Sequence, residues 1–212
     1  MFLQHGDPPL RWRRRRAPGV RVGRACLLLV LLQTLPLSAG APAADAGLPA
    51  AIEYQIKASF VYTVAKFVDW PEVAFSTPSS PLVFGILGSD AAFEAIETTL
   101  RGKRVHDREL IVRRLTGVGA ARDCQILYIS EGDPTSLAAI LDRIDSTGVL
   151  TVGERSHFAA SGGVLGLSLQ ETLVQFEVNM AAAQRAGLTI SSKILRLGKV
   201  VKEDGRPEDV RP

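Results

Sequence analysis

Cysteine is nearly absent from this sequence, and its scarcity excludes several kinds of site. Only Cys26 and Cys124 occur among 212 residues. A zinc site needs three or four protein ligands, and neither His106 nor His157 has a second His or a Cys at ligand spacing. We therefore expect no metal and no cofactor. If Cys26 is removed with an export signal, as argued below, the one remaining thiol cannot form an internal disulfide.

The sequence also lacks the motifs that mark common enzymes. Neither GxGxxG nor GxxxxGKS/T occurs, so the segment GILGSD at 85–90 is not a glycine-rich phosphate loop. There is no GxSxG, and Ser156 beside His157 therefore has no recognisable nucleophile elbow. Without such an elbow, a metal cluster or a recognisable pair of catalytic carboxylates, we do not expect an enzyme.

The N-terminal segment has no apolar run long enough to span a bilayer comfortably, since Ala25–Leu35 is too short. Small residues at 41–43 follow this run as a cleavage site. We predict a signal peptide over residues 1–43 and export by the general secretory route to the periplasm; twin-arginine export and an uncleaved membrane anchor are the alternatives. The basic part of the signal contains seven arginines: Arg11, Arg13, Arg14, Arg15, Arg16, Arg21 and Arg24.

Removal of this segment changes the sign of the net charge. Lys plus Arg falls from 25 to 18 and Asp plus Glu from 22 to 21, so the formal net charge moves from +3 to −3. A mildly acidic mature chain without a dense basic face gives no reason to expect a nucleic-acid partner.

The middle of the chain alternates helices and strands. A helix is predicted from Ala50 to Trp70, buried on more than one side, and apolar strands at 82–87, 109–115, 125–130 and 149–152. A helix ended by Gly102 follows the first strand, and another begins at Asp133 and Pro134. This order predicts one α/β domain over residues 50–202, with a mostly parallel sheet covered by helices on both faces. Residues 203–212 have the composition of a disordered polar tail.

The closing segment, residues 162–202, has its own pattern. Apolar residues alternate over 165–169 and 174–178, which predicts an antiparallel hairpin at the edge of the sheet. Asn179 is placed to cap a helix over 180–186 that Gly187 ends. Ser191 or Ser192 would cap a last helix, in which residues 194, 197 and 201 share one face.

Polar residues follow three of the predicted strands and form a candidate ligand site. In open α/β sheets, ligands tend to bind beyond the carboxyl ends of the strands. Ser89 and Asp90 follow the first strand, Ser130 and Glu131 the third, and Glu154 the fourth. These residues are predicted to converge on one cleft for a small molecule. The alternative is that they are ordinary turn and cap residues.

A candidate protein-binding surface lies on the closing hairpin. Gln175, Glu177 and Asn179 occupy the face of the last strand opposite its apolar side, and Arg185 is predicted to cover the same region. If that strand is at an edge, the three residues are exposed and can meet another protein by side-chain contact or strand addition. A solvated polar face without a partner is the alternative.

Three blocks of the sequence, taken together, resemble the YfiR/HmsC-like family of exported bacterial regulatory proteins. The first is IKASFVYTVAKFVDWP at 56–71. The second pairs CQILYIS at 124–130 with VLTVGE at 149–154. The third is the closing block GGVLGLSLQETLVQFEVNMAAAQRAGLTISSKILRLGKVV, which begins at Gly162. The blocks occur in order and span nearly the whole predicted domain.

The resemblance implies a periplasmic α/β protein, often dimeric, that acts by binding. Members are similar to a repressor that docks on the periplasmic sensor domain of an inner-membrane diguanylate cyclase and holds the cyclase inactive. Release of the cyclase raises cyclic di-GMP and with it biofilm formation. The resemblance supplies no catalytic residues. A soluble small-molecule-binding protein is the second hypothesis.

Two positions depart from the family pattern. Cys124 matches a family cysteine, but its disulfide partners are absent, so redox control through an internal bridge is not expected. An intermolecular disulfide through Cys124 is the alternative if this residue is exposed. Gly198 stands where we expect Ala in the last helix, which would cost about 0.5–1 kcal/mol of helix preference.

Overall fold

The fold is organised around one large sheet. The computed structural model describes residues 48–131, 136–144 and 148–202, which fall within one compact unit. The helices are α1 (Ala50–Ala65), α2 (Asp90–Leu100), α3 (Leu137–Ile144), α4 (Met180–Arg185) and α5 (Ser192–Leu195). The strands are β1 (Val68–Asp69), β2 (Leu82–Leu87), β3 (Arg104–Val105), β4 (Arg108–Arg114), β5 (Ile126–Ile129), β6 (Leu150–Gly153), β7 (Leu165–Gln170), β8 (Leu173–Asn179), β9 (Thr189–Ile190) and β10 (Lys199–Val201).

Eight strands form the main sheet in the order β10-β8-β7-β6-β5-β2-β4-β3. The pairs β10·β8, β7·β6, β6·β5, β5·β2 and β2·β4 are parallel, and the hairpins β7·β8 and β3·β4 are antiparallel. The predicted α/β fold with a mostly parallel sheet and an antiparallel hairpin in its closing segment is therefore confirmed.

Both faces of the sheet are covered because side chains alternate along fully buried strands. In β2, Phe84 and Ile86 enter the core on the side of α1 and α2. Val83 and Leu87 enter a second core, which α3 and the 3-10 turn Val118–Asp123 cover. Among the described residues, no helix is long and apolar enough to cross a membrane.

The predicted end of the first helix is wrong. The helix stops at Ala65, and Val68 and Asp69 form β1, which pairs with Ile190 and Thr189 of β9 in a separate two-stranded sheet. Helical spacing of the apolar residues continues to Phe67, but pairing with a distant strand is the stronger constraint on the backbone.

The last helix is also shorter than predicted. It ends at Leu195, and Lys199–Val201 forms β10, parallel to β8. Val201 is therefore buried in a strand, and Leu197 is 75% exposed. Because β10 pairs with the end of β8, the hairpin is not the edge of the sheet there.

Packing against Phe176 requires glycine at position 198, which is not a helix position in the structure. It lies after the last helix, and a Cβ atom at this position would collide with the ring of Phe176. The expected cost in helix preference therefore does not apply.

Most other predicted elements are found close to their expected bounds. Asn179 caps α4, with its Oδ1 accepting from Ala182 N at 2.9 Å, and Gly187 follows this helix with φ +68°. β4 begins and ends one residue earlier than predicted, and the short strand β3 beside it was not predicted. The predicted signal peptide, the Asp133–Pro134 helix start and the predicted tail lie outside the described residues.

Candidate functional site

The carboxyl ends of β5 and β6 meet α1 in a buried group of charges. Lys57 of α1 is 4% exposed, and its Nζ lies 2.5 Å from Glu53 Oε1 and 3.4 Å from Glu154 Oε2. The Tyr128 hydroxyl donates to Glu154 Oε1. We call Glu53, Lys57, Tyr128 and Glu154 the carboxyl-edge cluster.

The alternation of the strands explains why these side chains meet. Tyr128 lies on the same face of β5 as Ile126, and Glu154 follows β6 on the face of Val152, so both face α1. Burial raises the pKa of Tyr128 well above its ordinary value, and the charge of Glu154 raises it further. Tyr128 is therefore protonated at neutral pH and donates its hydrogen bond to a carboxylate that is only 5% exposed.

The other predicted ligand residues are used by the fold. Ser89 caps α2, with its Oγ accepting from Ala92 N at 3.2 Å, and Asp90 forms an ion pair with Arg114. The backbone N–H of Glu131 donates to Glu154 Oε2 at 3.4 Å. Ser89 and Asp90 thus fill the cap and turn roles of the alternative interpretation.

Ser130 was predicted to contribute to a ligand cleft, but the structure buries it. It is 1% exposed beneath Gly88, where an added Cβ would collide with its Oγ. Within the described residues its Oγ has no hydrogen-bond partner. Backbone packing between β2 and β5 closes this position from solvent.

A cleft of about 260 Å³ does lie against Glu154. Its lining includes Glu154, His157, Ser168 and Glu177, so it joins one predicted ligand residue to one predicted partner residue. Ser168 and Glu177 lie on the sheet face opposite α1, and Glu154 borders the cleft from the carboxyl end of β6.

The predicted partner residues divide between the surface and the core. Gln175 is exposed, and its Nε2 donates to Gln170 Oε1 at 2.7 Å. Glu177 is half-buried, and Lys199 Nζ lies 3.1 Å from its Oε1.

Asn179 and Arg185 do not join that surface. Asn179 is fully buried, where its Nδ2 donates to Ala159 O at 2.8 Å. Its amide is needed both for this bond and for the cap of α4. Because β10 pairs with this end of β8, the condition for its exposure, an edge strand, is not met. Arg185 lines a separate cleft of about 60 Å³ beside Leu141 and Thr151.

The amino end of the sheet contains a group that the sequence did not point to. Gln125, at the start of β5, holds the loop 71–81: its Oε1 accepts from Val83 N at 2.8 Å, and its Nε2 donates to Ala74 O at 2.6 Å. Trp70 Nε1 donates to the backbone oxygen of Gln125 at 3.1 Å. Clefts of about 290 and 500 Å³ flank the loop.

Two sequence signals could have found these groups. Lys57 is a charge on the apolar face of a helix, and Gln125 is an amide at the start of an apolar strand. Buried polar groups are hydrogen-bonded as a rule, so each indicated a partner, although not which one.

Cys124 is 1% exposed, and the condition for an intermolecular disulfide is not met. Burial raises the pKa of its thiol from 9.0 to about 11, against the opposing charge of Arg113. A buried thiol with a raised pKa is a poor nucleophile at neutral pH. Within the part of the chain that the structure describes, no group of three His, Cys, Asp or Glu is placed to hold a metal ion.

Comparison with known proteins gives one family. The family model described as YfiR/HmsC-like matches residues 54–199, which confirms the predicted resemblance. No curated protein matches the chain. A solved structure, a conserved domain protein from Vibrio cholerae O1 biovar eltor, is 13% identical with a TM-score of 0.48. That match covers 68% of this chain and 60% of the Vibrio chain.

Proposed function

Because the chain belongs to the YfiR/HmsC-like family, we propose that it binds the periplasmic sensor domain of an inner-membrane diguanylate cyclase and holds the enzyme inactive. The family consists of exported regulators, generally periplasmic, of cyclic di-GMP signalling, and it is regulatory and not catalytic. In this proposal, release of the cyclase raises cyclic di-GMP and promotes biofilm formation.

The exposed face of the closing hairpin is the observation that carries the proposal. Leu173 is 67% exposed, and Gln175 and Glu177 lie on the same face of β8 because residues two apart share a face. None of these residues belongs to either hydrophobic core of the described chain. An exposed apolar residue beside polar ones is the composition expected of a protein-binding surface.

Reversing the charge on this face tests the proposal. We expect Glu177→Arg to fold normally, because its ion pair with Lys199 is largely exposed and such pairs contribute little to stability. It should weaken partner binding, because it reverses a charge on the proposed contact face. Tagged protein would be crosslinked in cells and recovered from detergent-solubilised membranes, and mass spectrometry would identify what it retains. Recovery of a membrane protein with a cyclase domain is the expected result.

Glu94→Arg is the matched control, since Glu94 is exposed on α2, which covers the opposite face of the sheet. Recovery with Glu94→Arg should equal that of the native protein. If Glu177→Arg recovers as much of the partner as the native protein does, the hairpin face has a structural role and does not contact the partner. Failure to recover any membrane signalling protein would contradict the function itself.

A second proposal is binding of a small molecule in the cleft that Glu154 and Glu177 line. We expect a saturable thermal stabilisation by one compound of a metabolite panel, which Ser168→Trp should abolish because the indole would occupy the cleft. Because the cleft includes Glu177, this ligand would also change affinity for the cyclase. Stabilisation that survives Ser168→Trp would place the ligand elsewhere.

A homodimer of the mature chain is part of the same proposal. Size-exclusion chromatography with light scattering would measure its mass, and a monomer at all concentrations tested would contradict it.

A further inference from the structure

The larger cleft at the amino end of the sheet, about 500 Å³, lies on the side of the second core. One wall is the loop 73–81, and the other is made by β4 and by the turn Val118–Asp123. Its volume is within the range of about 300–1,000 Å³ typical of small-molecule sites. Its polar lining is Ser76, Ser80, Arg113, Arg122, Asp123 and Gln125.

Two arginines line this cleft from different elements, Arg113 from β4 and Arg122 from the turn Val118–Asp123. Arg113 is paired with Gly85 across β4 and β2, and its side chain therefore stands on the face that carries Cys124. Among the described residues, its guanidinium has no ion pair and no hydrogen bond, and its charge acts on the Cys124 thiol. Arg122 Nε donates to Arg143 O at 2.6 Å, which orients this guanidinium and leaves its terminal nitrogens for another acceptor.

The balance of charge and the polar wall favour an anion. Asp123 is the one carboxylate in the lining, so the two arginines leave the cleft with a net positive charge. Ser76 on the opposite wall is exposed and offers a hydroxyl. Gln125 fixes that wall through Ala74, so the cleft is formed before any ligand arrives.

We infer that this cleft binds a small organic anion, whose phosphate or carboxylate head lies between Arg113 and Arg122 and whose remainder lies along the loop 73–81. Guanidinium groups match both heads because their planar forks donate two parallel hydrogen bonds. The site is independent of the hairpin face and of the proposed cyclase partner.

Isothermal titration of the mature protein tests the site with three probes: inorganic phosphate, glycerol 3-phosphate and succinate. We expect saturable binding of at least one organic probe, tighter than that of inorganic phosphate and weaker at higher salt. Comparison of glycerol 3-phosphate with succinate distinguishes a phosphate head from a carboxylate head.

Three variants locate the binding. Arg113→Gln and Arg122→Gln should each raise the dissociation constant about tenfold or more, because each removes a charged, two-point contact. Arg114→Gln is the matched control, since Arg114 is the next residue of β4, faces the other side of the sheet and pairs with Asp90. It should leave the dissociation constant unchanged.

Hydrogen exchange gives a second readout, in which the bound probe should slow exchange of amides 73–81. Arg122→Gln also removes the donor to the backbone oxygen of Arg143. If that variant fails to fold, the result with Arg113→Gln decides. The proposal is wrong if no probe saturates, if organic probes bind no tighter than inorganic phosphate, or if Arg114→Gln weakens binding as much as Arg113→Gln.

Discussion

The two ends of the parallel sheet differ in how their polar groups are used. At the carboxyl end, Lys57, Tyr128 and Glu154 bind one another and are almost fully buried. At the amino end, Gln125 holds a loop that has open clefts on both sides. The general preference of ligands for carboxyl ends assumes an unfilled crevice. Here α1 fills part of that crevice, and the larger open volumes are at the opposite end.

The largest expected effect is at the closed end. Lys57→Met should lower the free energy of unfolding by about 3–5 kcal/mol, because Glu154 would be left buried without its cation. Urea denaturation would measure the loss. Lys66→Met is the control, since Lys66 caps the same helix but is exposed.

A second variant separates charge from packing. Lys57→Met with Glu154→Gln removes both charges and leaves an oxygen to accept from Tyr128, so much of the lost stability should return. If the double variant is no more stable than Lys57→Met alone, the buried charge is not the cause of the loss.

At the amino end we expect a smaller effect from Gln125→Ala. The variant leaves the buried Val83 N–H without its acceptor, at a cost of about 1–3 kcal/mol. Hydrogen exchange should also become faster over residues 73–81, because Ala74 loses its donor. Gln175→Ala, at an exposed glutamine, should change neither quantity; equal effects of the two variants would refute the anchoring role of Gln125.

The pH dependence of stability tests whether the Cys124 thiol, just before Gln125, is shielded from water at the amino end of the sheet. The folded pKa of Cys124 is about 11 against an ordinary 9.0, so between these values the unfolded state binds fewer protons. Stability should therefore fall as pH rises from 9 to 11, with this thiol contributing a slope of at most about 1.4 kcal/mol per pH unit.

Comparison with Cys124→Ala isolates that contribution, because Tyr128 titrates in both proteins. The variant should lose stability less steeply over the same pH range. Identical slopes would show that the thiol ionises as easily in the folded protein as in the unfolded one.

The smallest expected effect is that of Arg113→Ala. An exposed side chain without a hydrogen bond or ion pair among the described residues should change the free energy of unfolding by no more than about 0.5 kcal/mol. A loss above about 1 kcal/mol in thermal denaturation would make Arg113 a structural residue and weaken the contrast between the two ends.

Local patterns predicted the long elements of the fold well. The apolar run of β2, the alternation in β7 and β8 and the capping residue Asn179 are local signals, and the structure contains these elements. The pairs β1·β9 and β10·β8 were missed because strands of two or three residues are too short to show a period.

The sites were harder to predict because they join distant segments. Lys57 and Glu154 lie in separate blocks of the family resemblance, and only the fold shows that the first block meets the second. Likewise, the polarity of Ser130 and Asn179 suggested exposure, although the backbone around each encloses it. Sequence alone does not distinguish a buried polar residue with a structural role from an exposed one.

The pairing of Phe60 with Phe176, whose ring centroids are 4.9 Å apart, joins the first helix to the closing hairpin. Contacts between segments so distant in the chain form late and slow the search for the native state. A growing chain can pack α1 against β2 and α2 once residues 82–100 have been made, but Phe60 has no Phe176 ring to pack against until β8 has been made. Until then the part of α1 around Phe60 is exposed to chaperones and to other chains, and the interval is set by the rate of synthesis and not by any local propensity.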